Sequence, residues 1–391
     1  MKKLGVVVLL WSVLQAGAWA GFEEGVAAAE RGDYATSLKE FRLAAEAGNT
    51  DAQYNLGVMY THGRGVPTDG IEAVKWYRRA ADQGHAHAEY NLGVMYVDGQ
   101  GVSKNDAEAV KWFRLASDHG LAMAQYNLGV MYANGQGVLR SDAEAIRWYQ
   151  LAAAQGYADA QSNLGEMYSN GKGVPKSDIE AVRLYLQATA QGNSNAQYNL
   201  GFMYTHGRGV QKNDTEAVKW FQLSANKGNP FAQHSLGYMY ASGRGVPKNH
   251  TNAVKWYRLA AAQGYAKSQS NIGMLYADGQ GVPKSDAEAV KWYRRAAYQG
   301  DATAQYNLGT MYAEGRGVQR KSTVIAYALY NLSAASIESE HQSDVRESRD
   351  QIEHKLTPAQ RVAGQAISLK LQQSDDFLRT LDEAIQQTTG K

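Results

Sequence analysis

Residues 52–84 read AQYNLGVMYTHGRGVPTDGIEAVKWYRRAADQG, and this stretch decides the fold. Ala52, Leu56, Met59 and Tyr60 recur at helical spacing, and Val74, Tyr77 and Ala81 form a second such stripe. Gly63-Arg64-Gly65 between them cannot continue a helix cheaply and reads as the connecting loop. Gly57 and Ala80 are small enough to let two helix backbones approach closely. Gly84 stands where a helix closes with a left-handed residue. The unit is therefore a helix–loop–helix of about 36 residues.

Outward from this stretch the motif repeats in phase. Leu-Gly recurs at Leu56-Gly57, Leu92-Gly93, Leu128-Gly129, Leu164-Gly165, Leu200-Gly201, Leu236-Gly237 and Leu308-Gly309, with Ile272-Gly273 in the remaining slot; the spacing is 36 throughout. A Tyr follows three residues after each Gly, from Tyr60 to Tyr312, and then Gly-x-Gly-Val. One such hairpin cannot bury its apolar face alone, whereas stacked neighbours bury a continuous core. Trp76, Trp112, Trp148, Trp220, Trp256 and Trp292 share a slot in the second segment, with Leu184 as a smaller variant and Glu40 in the first hairpin. This slot is expected to pack into the preceding repeat.

The pattern A-x-x-x-L-G-x-x-Y-x-x-G-x-G-V…A-x-x-W-x-x-x-A-A-x-x-G resembles the Sel-one-like repeat family, relatives of tetratricopeptide repeats with a longer inter-helix loop. The match covers residues 50–300 and extends to about Ser336. It implies an all-α, right-handed α/α solenoid with helical caps and a scaffold or partner-binding role.

The ends depart from the pattern. Residues 21–49 read as a degenerate N-terminal capping hairpin, with Arg31-Gly32-Asp33-Tyr34 as its short turn. Eight repeats then occupy residues 50–336, with Tyr330 expected in the Trp slot of the last after a two-residue lengthening of its loop. Thr357-Pro358-Ala359-Gln360 is a capping box with Pro at the first helical position, so a helix is expected to about Gln373. Residues 337–373 are assigned to a C-terminal helical cap, and 374–391 to a tail expected to fray.

Composition narrows the function. The chain of 391 residues is 44% hydrophobic and 20% charged, as globular proteins are. Lys and Arg total 40 against 38 Asp and Glu, a net charge of +2 that excludes a bulk electrostatic grip on nucleic acid. With no Cys, disulfides, thiolate metal sites and Cys nucleophiles are excluded. Lys2 and Lys3, an apolar run from Leu4 to Leu14, and Ala18-Trp19-Ala20 form a leader whose cleavage is expected after Ala20. The run is too short to span a bilayer comfortably, and no later segment is long enough. A periplasmic location is expected, with secretion as the alternative.

No catalytic, metal or cofactor site is expected. The Gly-x-Gly loops follow helices rather than strands and lack a P-loop's Gly-Lys-Ser/Thr. Ser169-x-x-Lys172 and Ser224-x-x-Lys227 match a serine β-lactamase pattern without its Ser-Asp-Asn or Lys-Thr-Gly companions. His85 and His87 point about 200° apart on a helix and cannot share a metal from one face. Glu72, Glu108, Glu144, Glu180, Glu216 and Glu288 each lie three before a Lys or Arg, a repeated helix-surface pair.

One polar feature recurs at a position suited to binding. Asn55, Asn91, Asn127, Asn163, Asn199, Asn271 and Asn307 each precede the Leu, with Ser235 as the one substitution. By resemblance to tetratricopeptide arrays this slot faces the concave groove, where amides can hold an extended peptide backbone. The alternative is an Asn bonding the backbone of a neighbouring repeat. One residue earlier stand Tyr54, Tyr90, Tyr126 and Tyr198; the slot after the Gly carries Phe202 and Tyr238; and Phe231 occurs where other repeats are polar. Aromatics rimmed by amides suit a protein or peptide partner. Two other readings stay open: a peptidoglycan or glycan binder associated with the cell wall, and an enzyme acting on β-lactam-like amides.

Overall fold

Second helices begin where the sequence supplies a cap. Asp69 accepts from the N–H groups of Ile71 and Glu72, and Asn105, Ser141, Ser177, Asn213 and Ser285 accept from the Glu three residues on. Each such cap contributes about 1 kcal/mol. That Glu in turn pairs with the base three residues further, as in Lys75–Glu72 at 2.5 Å and Arg183–Glu180 at 2.9 Å. First helices end on a left-handed glycine: Gly63 has φ of 69°, and the Arg64 N–H donates to the Met59 carbonyl at 3.0 Å.

The computed structural model describes residues 21–336 and 342–389; the leader at 1–20 and residues 337–341 of the assigned C-terminal cap lie outside them. Among the described residues every regular element is a helix and none is a strand. The chain divides into two compact units, Met1–Asn193 and Ser194–Lys391. The first holds the hairpin α1 (21–30) and α2 (Tyr34–Glu46). Four helix pairs follow it: α3 (Thr50–His62) with α4 (Gly70–Ala81), α5 (Ala86–Asp98) with α6 (Asp106–Asp118), α7 (Ala122–Asn134) with α8 (Asp142–Ala154), and α9 (Ala158–Asn170) with α10 (Asp178–Ala190). The second unit holds the pairs α11 (Ser194–His206) with α12 (Asp214–Asn226), α13 (Pro230–Ser242) with α14 (His250–Ala262), α15 (Ala266–Asp278) with α16 (Asp286–Tyr298), and α17 (Ala302–Glu314) with α18 (Thr323–Ser336). It closes with α19 (Gln342–Glu353), α20 (Pro358–Gln373) and α21 (Phe377–Thr389). Within each unit the hairpins stack as a solenoid of repeats.

The Leu of each Leu-Gly pair is buried at the hairpin centre. Its Gly does something other than admit a second backbone. A Cβ on Gly129 would lie 2.5 Å from the ring of Tyr149, and one on Gly165 would lie 2.7 Å from the ring of Tyr185. The glycine is thus a seat for the aromatic that follows the Trp slot. The first hairpin repeats the device with Phe41 on Gly25, and the C-terminal cap does so with Tyr327 on Gly364.

The Trp slot packs into the preceding repeat, as its position in the motif implies. Trp76 joins Phe41, Ala44 and Ala45 of the capping hairpin, and Trp148 joins Ala109, Val110 and Phe113. Leu184 takes the equivalent place beside Ile146, Tyr149 and Ala152. Tyr330, however, is not in this slot. It sits on Gly309, the seat that Tyr293 occupies on Gly273, so the loop of the last repeat is longer by one residue and Leu329 stands in the Trp position.

A buried amide ladder ties the two helices of a hairpin together and links it to the hairpin before. The Gln three residues before the Leu is buried, and a Gln thirty residues later donates to it: Gln83 to Gln53 at 2.7 Å, Gln155 to Gln125 at 2.8 Å, Gln191 to Gln161 at 3.1 Å, and, in the second unit, Gln263 to Gln233 at 2.9 Å and Gln299 to Gln269 at 2.8 Å. The same Gln also reaches back to the preceding hairpin, as Gln53 does to the Ala45 carbonyl at 3.0 Å. In the second repeat both members change together, to Glu89 and His119, 3.5 Å apart. Burial raises the pKa of the Glu89 carboxyl, and His119 opposes that shift.

The C-terminal residues correct a third expectation. Beyond the capping box at Thr357 and Gln360, the tail forms α21 instead of fraying. Phe377, Leu381 and Ala384 are buried in the core of the last repeats, and Arg294 donates to Asp382 at 2.7 Å. An amphipathic stripe becomes a stable helix when a receptor face covers it; here α18 and α20 supply that face.

Candidate functional site

The first helices carry the candidate residues, and the structure places them in three relations. The Tyr slot is half-buried. Tyr54 lies 5.9 Å from Tyr77, Tyr90 5.6 Å from Phe113, Tyr126 6.0 Å from Tyr149 and Tyr198 5.9 Å from Phe221, all tilted ring pairs within one repeat. These tyrosines therefore serve first as packing, with one edge left accessible.

The Asn ladder is knitted to those rings. Asn127 donates to the Tyr90 hydroxyl and Asn163 to that of Tyr149, each at 3.4 Å, while Asn55 donates to the Asp51 carbonyl of its own helix at 2.9 Å. Burial pushes Tyr77 and Tyr149 up to about 12, and hydrogen bonds from Asn91 and Asn163 partly offset it. The same opposition of burial and amide holds for Tyr54 with Asn91 and, in the second unit, for Tyr257 with Asn271. Asn199 and Asn307 sit half-buried at the same slot. Asn127 and Asn163 thus reach tyrosine side chains of the preceding repeat, whereas Asn55 bonds the backbone of its own helix. Among the described residues the Asn127 amide donates to Tyr90 and its Oδ1 accepts no hydrogen bond, whereas Asn163 meets both Tyr149 and Tyr126.

Pockets open where these slots meet in the first unit. One of about 140 Å³ includes Asn55, Val58 and Met59, one of about 290 Å³ includes Asn127, Val130 and Met131, and one of about 200 Å³ includes Asn163, Glu166 and Met167. Each combines a ladder amide, the residue three after it and the buried Met beside that residue. In the second unit the corresponding slot is open and apolar instead. Phe202 is 36% exposed, Tyr238 47% and Met274 45%. Phe231, 48% exposed, continues an aromatic run, 5.8 Å from Tyr198 and 5.3 Å from Tyr265.

The residues weighed for chemistry have other employment. The Ser224 hydroxyl is fully buried and donates to the Ser194 carbonyl at 2.7 Å. Ser169 is buried, and Lys172 lies 3.6 Å from Asp142. His85 caps α5 by accepting from the Ala88 N–H at 3.1 Å, with Asp51 3.3 Å from its other ring nitrogen. No group of three or more metal-ligating His, Asp or Glu occurs among the described residues. No helix among them is long and apolar enough to cross a membrane.

Comparison with known proteins matches this geometry to a family. The Sel1 repeat matches residues 50–85, 86–121, 122–157, 158–193, 194–229, 230–265, 266–301 and 302–336. A crystal structure of c5321, described as a protective antigen of uropathogenic Escherichia coli strains with an SLR fold, is 31% identical over 97% of this chain and 97% of that chain, with a TM-score of 0.52. A Sel1 repeat protein from Oxalobacter formigenes is 32% identical over 79% of this chain and 89% of its own, with a TM-score of 0.58. No curated protein matches the sequence. With eight consecutive repeats matched and the seat, slot and ladder recurring in the folded chain, the protein belongs to the Sel1 repeat family.

Proposed function

We propose that this protein is a non-enzymatic scaffold of the bacterial envelope that binds a protein partner through an extended peptide laid along the first-helix face. The observation that carries the reading is the set of pockets in the first unit, each pairing a ladder amide with apolar walls. A peptide backbone can donate to the Oδ1 of Asn127 while its side chains enter the pockets. Each neutral hydrogen bond contributes only about 0.5–1.5 kcal/mol net, so affinity accumulates over several rungs. The exposed Phe202, Tyr238 and Phe231 supply apolar anchors in the second unit.

Replacing Asn127 and Asn163 together by Ala tests this. The expected result is partner binding weakened by about tenfold or more, with a melting temperature only slightly lowered. Loss of several degrees of stability with affinity intact would make the ladder purely structural. Export rests on residues 1–20 of the sequence alone; exported protein still beginning at Met1 would remove the cleavage assignment. The hydrolase reading is disfavoured because the Ser224 hydroxyl is bonded to backbone and Ser169 is buried.

A further inference from the structure

A second ladder, of charges, runs at several junctions between the start of a second helix and the loop of the next repeat. The residue between the two loop glycines reaches back thirty positions to an Asp. Lys172 lies 3.6 Å from Asp142, Arg244 donates twice to Asp214 at 2.8 and 3.1 Å, and Arg316 donates twice to Asp286 at 2.8 and 3.2 Å. At the junction of repeats two and three the acid is kept and the cation is absent: Asp106 is followed thirty residues on by Gln136. Among the described residues the Asp106 carboxylate has no ion-pair or hydrogen-bond partner, and the nearby Arg140 lies 3.8 Å from Asp142 instead. Elsewhere in the array a neutral loop residue faces no acid, as with Gly70 and Gln100 or His250 and Gln280.

Asp106 is among the residues that line the pocket of about 290 Å³ described above, with Gln136 also in its lining and Val94, Val97, Phe113 and Met131 among the walls. Asp106 is half-buried, and a cation brought beside it at a protein surface is attracted more strongly than in bulk water. Apolar walls suit the methylene stem of a long basic residue, whose head stays polar while its stem is buried.

We propose that this pocket is a specificity site that takes a lysine or arginine side chain of the bound peptide, its cation replacing the loop cation that repeat three lacks. The inference rests on the peptide-binding reading above and names the residue class that the face selects. Asn127, which donates to Tyr90 in the same pocket, is placed to hold the backbone next to that side chain.

The test uses the full chain and an array of acetylated, amidated Ala/Val peptides with Lys, Arg, Leu or Glu at one central position. The Lys or Arg peptide should bind about tenfold more tightly than the Leu peptide at low salt, and the gap should shrink as salt rises. Asp106→Asn should bring the basic and Leu peptides to parity. Gln136→Arg should do the same by installing the cation that Arg244 and Arg316 provide in their repeats. That second variant reproduces an arrangement the fold already contains, so thermal melting of both variants separates loss of binding from loss of folding. A Leu peptide that binds as well as the Lys peptide, or a basic preference that survives both substitutions, overturns the inference and leaves the peptide-binding reading standing. Binding of none of the peptides overturns both.

Discussion

Replacing Trp148 by Ala is expected to lower stability by roughly 3–5 kcal/mol. Its indole is buried against Ala109, Val110 and Phe113 of the preceding repeat and Leu128 and Met131 of its own, so truncation opens a cavity at the junction that couples the two hairpins. In a solenoid each repeat is held by such nearest-neighbour contacts, so the loss should appear in urea unfolding of the whole first unit. Trp148→Leu should lose much less, because Leu184 fills this slot in the fourth repeat. A change under about 1 kcal/mol for Trp148→Ala would mean that the slot does not carry the junction.

The second large effect is on pH dependence. His234 occupies the slot that holds Tyr in most repeats, and burial, with a smaller contribution from Lys267, lowers its pKa to about 4. Its ring lies 5.4 Å from Tyr257 and 5.0 Å from Tyr265, and Nδ1 is 2.9 Å from the Ser268 hydroxyl. The folded state therefore disfavours the imidazolium. Above the unfolded value near 6.5 both states hold a neutral ring and stability is complete; as pH falls from 6.5 towards 4 the unfolded chain takes up the proton first, and stability is lost. The loss should reach roughly 3 kcal/mol near pH 4. His234→Tyr should flatten most of this slope, leaving the smaller part due to His85, whose pKa burial also lowers. Matching profiles for the two proteins between pH 7 and 4 would show that His234 is solvated.

The fold was readable because its determinant is periodic. Leu-Gly, Tyr and Gly-x-Gly-Val recur in register, and helical spacing on both sides of the loop leaves a single architecture. What was missed lies in relations between residues far apart in the sequence. Gln53 and Gln83 are thirty residues apart, and neither is unusual in its own helix; only their joint recurrence, and the paired exchange to Glu89 and His119, marks them as partners. The role of Gly57 was misread for the same reason. A small residue signals a close approach, but not whether a backbone or the Tyr77 ring makes it. Tyr330 was placed one slot out because an aromatic in a lengthened loop register satisfies either position until Gly309 is seen beneath it. The α21 stripe of Phe377, Leu381 and Ala384 was visible, but its receptor on α18 and α20 belongs to tertiary structure.

The candidate site was legible in part. The Asn and Tyr slots were identified, and in the structure they touch each other, which makes them both packing and surface. Phe202, Phe231 and Tyr238 stand out from their slots by size, and they are also exposed. The pockets could not be read from sequence because each is built by two successive repeats. Asp106 was equally hidden: its carboxylate matters because of a residue missing thirty positions away.

Site-specific photo-crosslinking in the cells that make the protein tests the central claim, that partners bind on the first-helix face. A photoreactive residue at Val130, which lines the 290 Å³ pocket, is compared with one at Leu115, exposed on the second helix of the preceding repeat. The account predicts a discrete crosslinked product from Val130, traced by mass spectrometry to one contiguous segment of a partner and lost when Asn127 and Asn163 are replaced by Ala. It predicts no such product from Leu115. A partner captured from Leu115 but not from Val130 would place the binding surface on the second helices and contradict the account.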